Sequence, residues 1–212
     1  MTTNVAPDVF RSIAKKLAVS GRQIYARGWS PATSSNFSIR INADSCAITV
    51  SGKPKGELSE QDIMIVDLQG IPLTPQKPSA ETLLHTQLYR REPEIGAVLH
   101  THSLAATVLS RLIKSREVVL SGYELLKAFD GIQTHDLTIK LPVFENTQDI
   151  AALASEVEQR MTKQGTGIAY LIRGHGLYTW GKTLSDCERH LEALEFLLQC
   201  ELEKARVSGV SD

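Results

Sequence analysis

The chain has 212 residues, 42% of them hydrophobic and 22% charged, with 23 Lys and Arg against 24 Asp and Glu. That composition excludes a disordered chain, and near-neutral charge without a basic block excludes an electrostatic footprint for nucleic acid. The length fits one domain over residues 1–212, long enough to bury a core without disulfide staples.

In chain order, Met1–Pro7 is short and polar, without the charged lead and apolar run of a signal peptide. A first helix is expected from an Asp8 N-cap to Ala26, with Phe10, Ile13, Leu17 and Ile24 on its apolar stripe and Gly28 as its stop. Strands follow at 36–41, 46–50 and 63–66, with a loop at Ser51–Gly56 set by its glycine and proline content. Ser79 or a neighbour caps a helix over 80–91. Ala97–Leu99 reads as a buried strand that delivers His100 and His102. A helix over 104–112, a short strand at 118–120 and a brief helix at 122–128 come next. An amphipathic helix over 148–163 precedes strands at 168–172 and 177–180, joined by Arg173-Gly174-His175-Gly176. A last helix covers 185–204. The order is not a regular βαβ series, so the expected fold is α/β with a mixed or mostly antiparallel sheet and helices on both faces. No apolar stretch reaches the length of a membrane span. The three cysteines, Cys46, Cys187 and Cys200, form no CxxC pair and read as free thiols of a reducing cytoplasm.

The strongest chemical signal is Leu99-His100-Thr101-His102-Ser103. Histidines at i and i+2 on an extended chain point the same way, so both imidazoles can reach one metal. Zinc favours imidazole nitrogen, and catalytic zinc sites use three protein ligands with one open position. Two hydrogen-bonded histidines at a strand end are the competing reading. His175 is the best third ligand, because its flanking glycines let the backbone turn and approach closely. His85, one helical turn after Glu81, reads as a neighbour of the ligands or as core. His190 reads as a solvated or interface residue, and His135 as a loop residue. Ser34-Ser35-Asn36, Ser51-Gly52-Lys53 and Ser79 are small polar groups at element ends, suited to an anion, with ordinary turn chemistry as the alternative. Spacing alone makes Glu124 a surface group and leaves Glu81 open.

Ser35-Asn36-Phe37-Ser38, Ser51-Gly52-Lys53, Pro78-Ser79-Ala80-Glu81, His100-Thr101-His102 and Gly174-His175-Gly176, in this order, resemble the class II aldolase/adducin superfamily over nearly the whole chain. The segments at Trp29 and Lys53–Lys55 resemble its methionine-salvage dehydratase branch. The resemblance implies a three-layer α/β/α sandwich with a central, mainly antiparallel sheet. It implies one zinc per subunit on His100, His102 and His175, and phosphate contacts at Asn36, Ser51, Gly52 and Ser79. A phosphate-binding serine of the aldolases falls on Ala80 here, so that contact is lost, moved to backbone or replaced by Lys53. The acid/base falls on Glu81 in the aldolase pattern and on Glu124 in the dehydratase pattern. The implied protein is a zinc lyase that dehydrates a small sugar phosphate, as a homotetramer with sites between subunits. Aldol cleavage, 4-epimerisation or a non-catalytic adducin-like domain are the alternatives.

Overall fold

The structure, a computed structural model, describes residues 5–209. Eight strands form one sheet: β1 (Asn36–Arg40), β2 (Ser45–Thr49), β3 (Ile63–Asp67), β4 (Ala97–Thr101), β5 (Glu117–Ser121), β6 (Thr138–Phe144), β7 (Ala169–Ile172) and β8 (Gly176–Gly181). Their spatial order is β3-β2-β1-β4-β8-β7-β6-β5. Every neighbouring pair is antiparallel except β6 and β7. The helices are α1 (Pro7–Ala26), α2 (Thr82–Arg91), α3 (Leu104–Leu112), α4 (Ile150–Gln164) and α5 (Leu184–Ser208).

Period-two alternation divides the strands between two cores. Leu99, Leu171 and Leu177 join Leu17 of α1, Leu109 of α3 and Leu194 and Leu198 of α5. Val98, Tyr170, Tyr178 and Trp180 join Leu84 and Leu88 of α2 and Leu153 and Val157 of α4. The result is a central mixed sheet with helices on each face, as the patterning required. The strand register also sets the site. Asn36 is level with His100, His100 with Tyr178, and Tyr178 with Tyr170, so four polar or aromatic side chains share one row of one face. His100 stacks on Tyr178 with ring centroids 3.9 Å apart, and Tyr178 stacks on Tyr170 at 4.9 Å.

Some local expectations are corrected. Asp8 lies in the first turn of α1 rather than at its cap; Pro7 opens the helix, and Ala6 makes no side-chain cap bond. Proline suits that position because its missing N–H would be unpaired there anyway. The helix expected from Ala80 begins at Thr82, with Glu81 at its N-cap position. β6 escapes the sequence pattern because it contains Pro142, which cannot donate to a ladder. That residue is level with Glu117 near one end of the β5–β6 pairing, and the next residue, Val143, begins the parallel pairing with β7. His190 is buried in α5, with Nδ1 2.8 Å from the Trp180 carbonyl, so it is not a solvated residue. The cysteines are free thiols, with Cys46 and Cys187 buried. Among the described residues, no helix is long and apolar enough to cross a membrane.

Candidate metal centre

β4 ends at Thr101, and the chain leaves the sheet through His102, whose backbone N–H donates to the Trp29 carbonyl at 2.8 Å. The Trp29 segment therefore clamps the second histidine. Across β8, the turn before Gly176 brings in His175. A side chain at 176 would collide with the Thr101 carbonyl at 1.9 Å and crowd the His100 ring, so only glycine lets the two strands approach here. Gly174, at φ +66°, turns the chain, and its N–H donates to Ser110 Oγ at 2.9 Å.

These elements converge on four side chains. His100 Nε2 lies 3.3 Å from His175 Nε2, which is 3.2 Å from His102 Nε2. Glu81 at the head of α2 reaches His100 Nε2 at 3.3 Å and His175 Nε2 at 3.0 Å. One ligand atom from each residue lies within 4.8 Å of all the others. The tautomers fit a metal. His100 Nδ1–H donates to the Leu177 carbonyl at 2.9 Å, and His175 Nδ1–H donates to Asn146 Oδ1 at 3.3 Å, leaving both Nε2 lone pairs facing inward. Burial, followed by the neighbouring His100 and His175, pulls the His102 imidazole down to about 3, which keeps it neutral. Converging lone pairs and a carboxylate repel unless a cation lies between them. The donor set suits zinc and equally other imidazole-binding divalent ions.

Glu81 is held with care. Its Oε2 accepts from Asn36 Nδ2 at 2.7 Å. Burial opposes its ionisation, but positive charge on His100 and His175, whose place a bound metal ion would take, outweighs it and holds the carboxyl well below the usual carboxylate range. Asn36 also donates to Ser79 Oγ at 3.2 Å and receives His85 Nε2 on its Oδ1. His85 Nδ1 meets Ser38 Oγ at 2.7 Å, and that hydroxyl meets Tyr89 OH at 2.8 Å. His85 is fully buried, and burial pulls it down to about 3, which keeps it neutral. Of the two readings open for His85, the structure supports the neighbour of the metal corner.

A cavity of about 290 Å³ opens beside the cluster. Asn36, Ser51, Gly52 and Ser79 all line it, as do Glu81, His102 and His175. Both Asn36 amide N–H groups are already committed, so in this arrangement Asn36 positions Glu81 and Ser79. Lys53 does not line the cavity; its ammonium pairs with Asp62 at 3.2 Å. Glu124 also lies apart, with its side chain 71% exposed and paired with Lys127 and His135. Sequence reasoning missed Thr147, Gln148 and Ile150, which enter the cavity wall at the start of α4. They carry no motif, and only the fold brings them near β4.

The sequence signature of the class II aldolase and adducin N-terminal domain matches residues 15–202. The chain belongs to that family. Among class II aldolase-family relatives, a methylthioribulose-1-phosphate dehydratase of Alcanivorax borkumensis is 59% identical over 95% of each chain. A protein of the same name from Azotobacter vinelandii is 54% identical over 93% of this chain and 96% of that one. The L-fuculose-1-phosphate aldolase of Thermus thermophilus has the same class II aldolase fold. It gives a TM-score of 0.73 at 24% identity, covering 95% of this chain and 98% of that chain.

Proposed function

We propose that the chain removes water from 5-methylthioribulose 1-phosphate, giving 2,3-diketo-5-methylthiopentyl 1-phosphate as a hydro-lyase of methionine salvage. The 59% identity to a methylthioribulose-1-phosphate dehydratase across nearly all of both chains carries this reading. The metal corner and the adjoining polar cavity support it. The C3 proton and the C4 hydroxyl leave as water, and the resulting enol tautomerises to the diketone.

His100, His102 and His175 would hold one zinc per chain, with Glu81 beside them. Zinc bound there supplies Lewis acidity for negative charge that develops on the substrate oxygens. Ser51, Gly52 and Ser79 take the phosphate end, and Asn36 fixes Glu81 and Ser79, so that binding far from the reacting carbons orients them. Glu124 is assigned the proton transfer from C3 to the departing hydroxyl, with Glu81 as the carboxylate that the same chain places at the metal corner. Glu124 stands outside the cavity wall, so its role requires a second copy of the chain to carry it there. We therefore read the site as shared between subunits, and take the enzyme to be a cytoplasmic homotetramer of single-domain chains.

Metal analysis paired with product analysis tests the proposal. About one zinc per chain and chelator-sensitive formation of a single diketone are expected. Two carbon fragments would move the reading to aldol cleavage, and a C4 epimer to epimerisation. Neither metal nor turnover after metal is restored would leave a non-catalytic adducin-like domain.

A further inference from the structure

Lys55 is 1% exposed, although it carries an ammonium group. Its Nζ donates to the Thr33 carbonyl at 3.2 Å and the Lys53 carbonyl at 2.8 Å. An ammonium has three N–H groups, and among the described residues these two neutral oxygens are its hydrogen-bond acceptors. Burial lowers its pKa to about 8, with no acidic side chain offsetting that cost. A buried cation without a carboxylate is expensive unless a ligand supplies the anion. Lys55 lines the cavity beside the metal corner, as does Ser35. Ser35 is a non-glycine residue held at φ +73°, and its buried hydroxyl has no hydrogen-bond partner. An ammonium with one N–H left over and a hydroxyl without a partner thus line the same cavity as the open backbone of Gly52.

We propose that Lys55 and Ser35, rather than Lys53, complete the anion-binding side of this cavity and hold the phosphate of the substrate. The proposal rests on the sugar-phosphate reading above and deepens it. A phosphate monoester offers three terminal oxygens and a double charge, which matches one ammonium, one hydroxyl and the loop N–H groups. The lysine offsets the serine lost at Ala80 with a stronger, charge-assisted bond.

Titration calorimetry of inorganic phosphate into the full-length chain, with chelator present to keep the anion off any metal, tests this directly. Lys55→Met is expected to weaken phosphate on the order of 10- to 100-fold. Its melting temperature without phosphate should hold or rise, because an uncompensated buried charge is gone. Ser35→Gly should fold well, since glycine accepts the left-handed backbone, yet bind phosphate roughly three- to tenfold more weakly. Affinity within about twofold of the unmodified chain in both variants would overturn the proposal. So would a loss in Lys53→Ala as large as in Lys55→Met, or an unmodified chain that binds no phosphate. Phosphate binding through Lys55 without dehydration would sink the substrate reading alone. Dehydration with an unchanged KM in Lys55→Met would sink this proposal alone.

Discussion

Glu81 and Glu124 are two candidate acid/base carboxylates in opposite surroundings. Glu81 is 9% exposed, tied to Asn36 and set between His100 and His175. Glu124 has 71% of its side chain in solvent on a short 3-10 turn, with Lys127 and His135 as its partners. The first region is built by sheet register and a glycine-permitted close approach, and one chain completes it. The second lacks burial, and its neighbours Lys127 and His135 lower its pKa and hold it ionised. The contrast teaches that this chain encloses its metal corner by itself, while the proton-transfer half of the proposed site is open.

The largest expected effect breaks the enclosed half. His100→Ala should abolish metal binding and turnover together, read as metal content and diketone formation in the same preparation. A variant that keeps stoichiometric zinc would remove His100 from the ligand set. Glu124→Gln attacks the open half. It should keep metal content and stability unchanged, as exposed substitutions do, yet lose about 10²- to 10⁴-fold in kcat. Full activity would shift proton transfer back to Glu81. If Glu124 acts across a subunit boundary, mixing inactive Glu124→Gln with inactive His100→Ala chains should restore part of the activity. Mixtures that stay dead would place both halves in one chain.

The same contrast explains what was legible in the sequence. His100 and His102 were readable because strand alternation fixes their common direction, and His175 because Gly174 and Gly176 mark a close approach. The two-faced sheet followed from the mixed order of helical and alternating segments. His85 was ambiguous because its role depends on Asn36 lying across β1, a pairing that no local pattern encodes. Lys53 and Lys55 are two residues apart, and their fates differ where the loop enters the short 3-10 turn at Lys55. One reaches Asp62, and the other turns inward beneath Thr33. β6 was hidden by Pro142, whose cost is tolerable only where the strand changes neighbours.

A third carboxylate sharpens the comparison with a smaller effect. Glu195 of α5 lies behind the metal corner, on the face of β4 that Thr101 shares with the opposite core. It is 2% exposed; its Oε1 accepts from Thr101 Oγ1 at 2.5 Å, and its Oε2 has no partner. Burial, partly offset by Ser103 and Thr101, pushes its carboxyl up to about 7 from an ordinary 4.5. Between those values the folded chain retains a proton that the unfolded chain has released. Raising pH through that window therefore favours unfolding, and above about pH 7 the buried charge costs about 3 kcal/mol. Glu195→Gln keeps an oxygen for Thr101 and cannot ionise. Denaturant unfolding from pH 5 to 8 should show the unmodified chain losing stability relative to this variant as pH rises. Parallel stability curves would mean that Glu195 stays ionised in the folded chain, and that a cation must reach it from beyond its Thr101 and Ser103 neighbours. Burial alone would then be a poor guide to which of the three glutamates carries a proton.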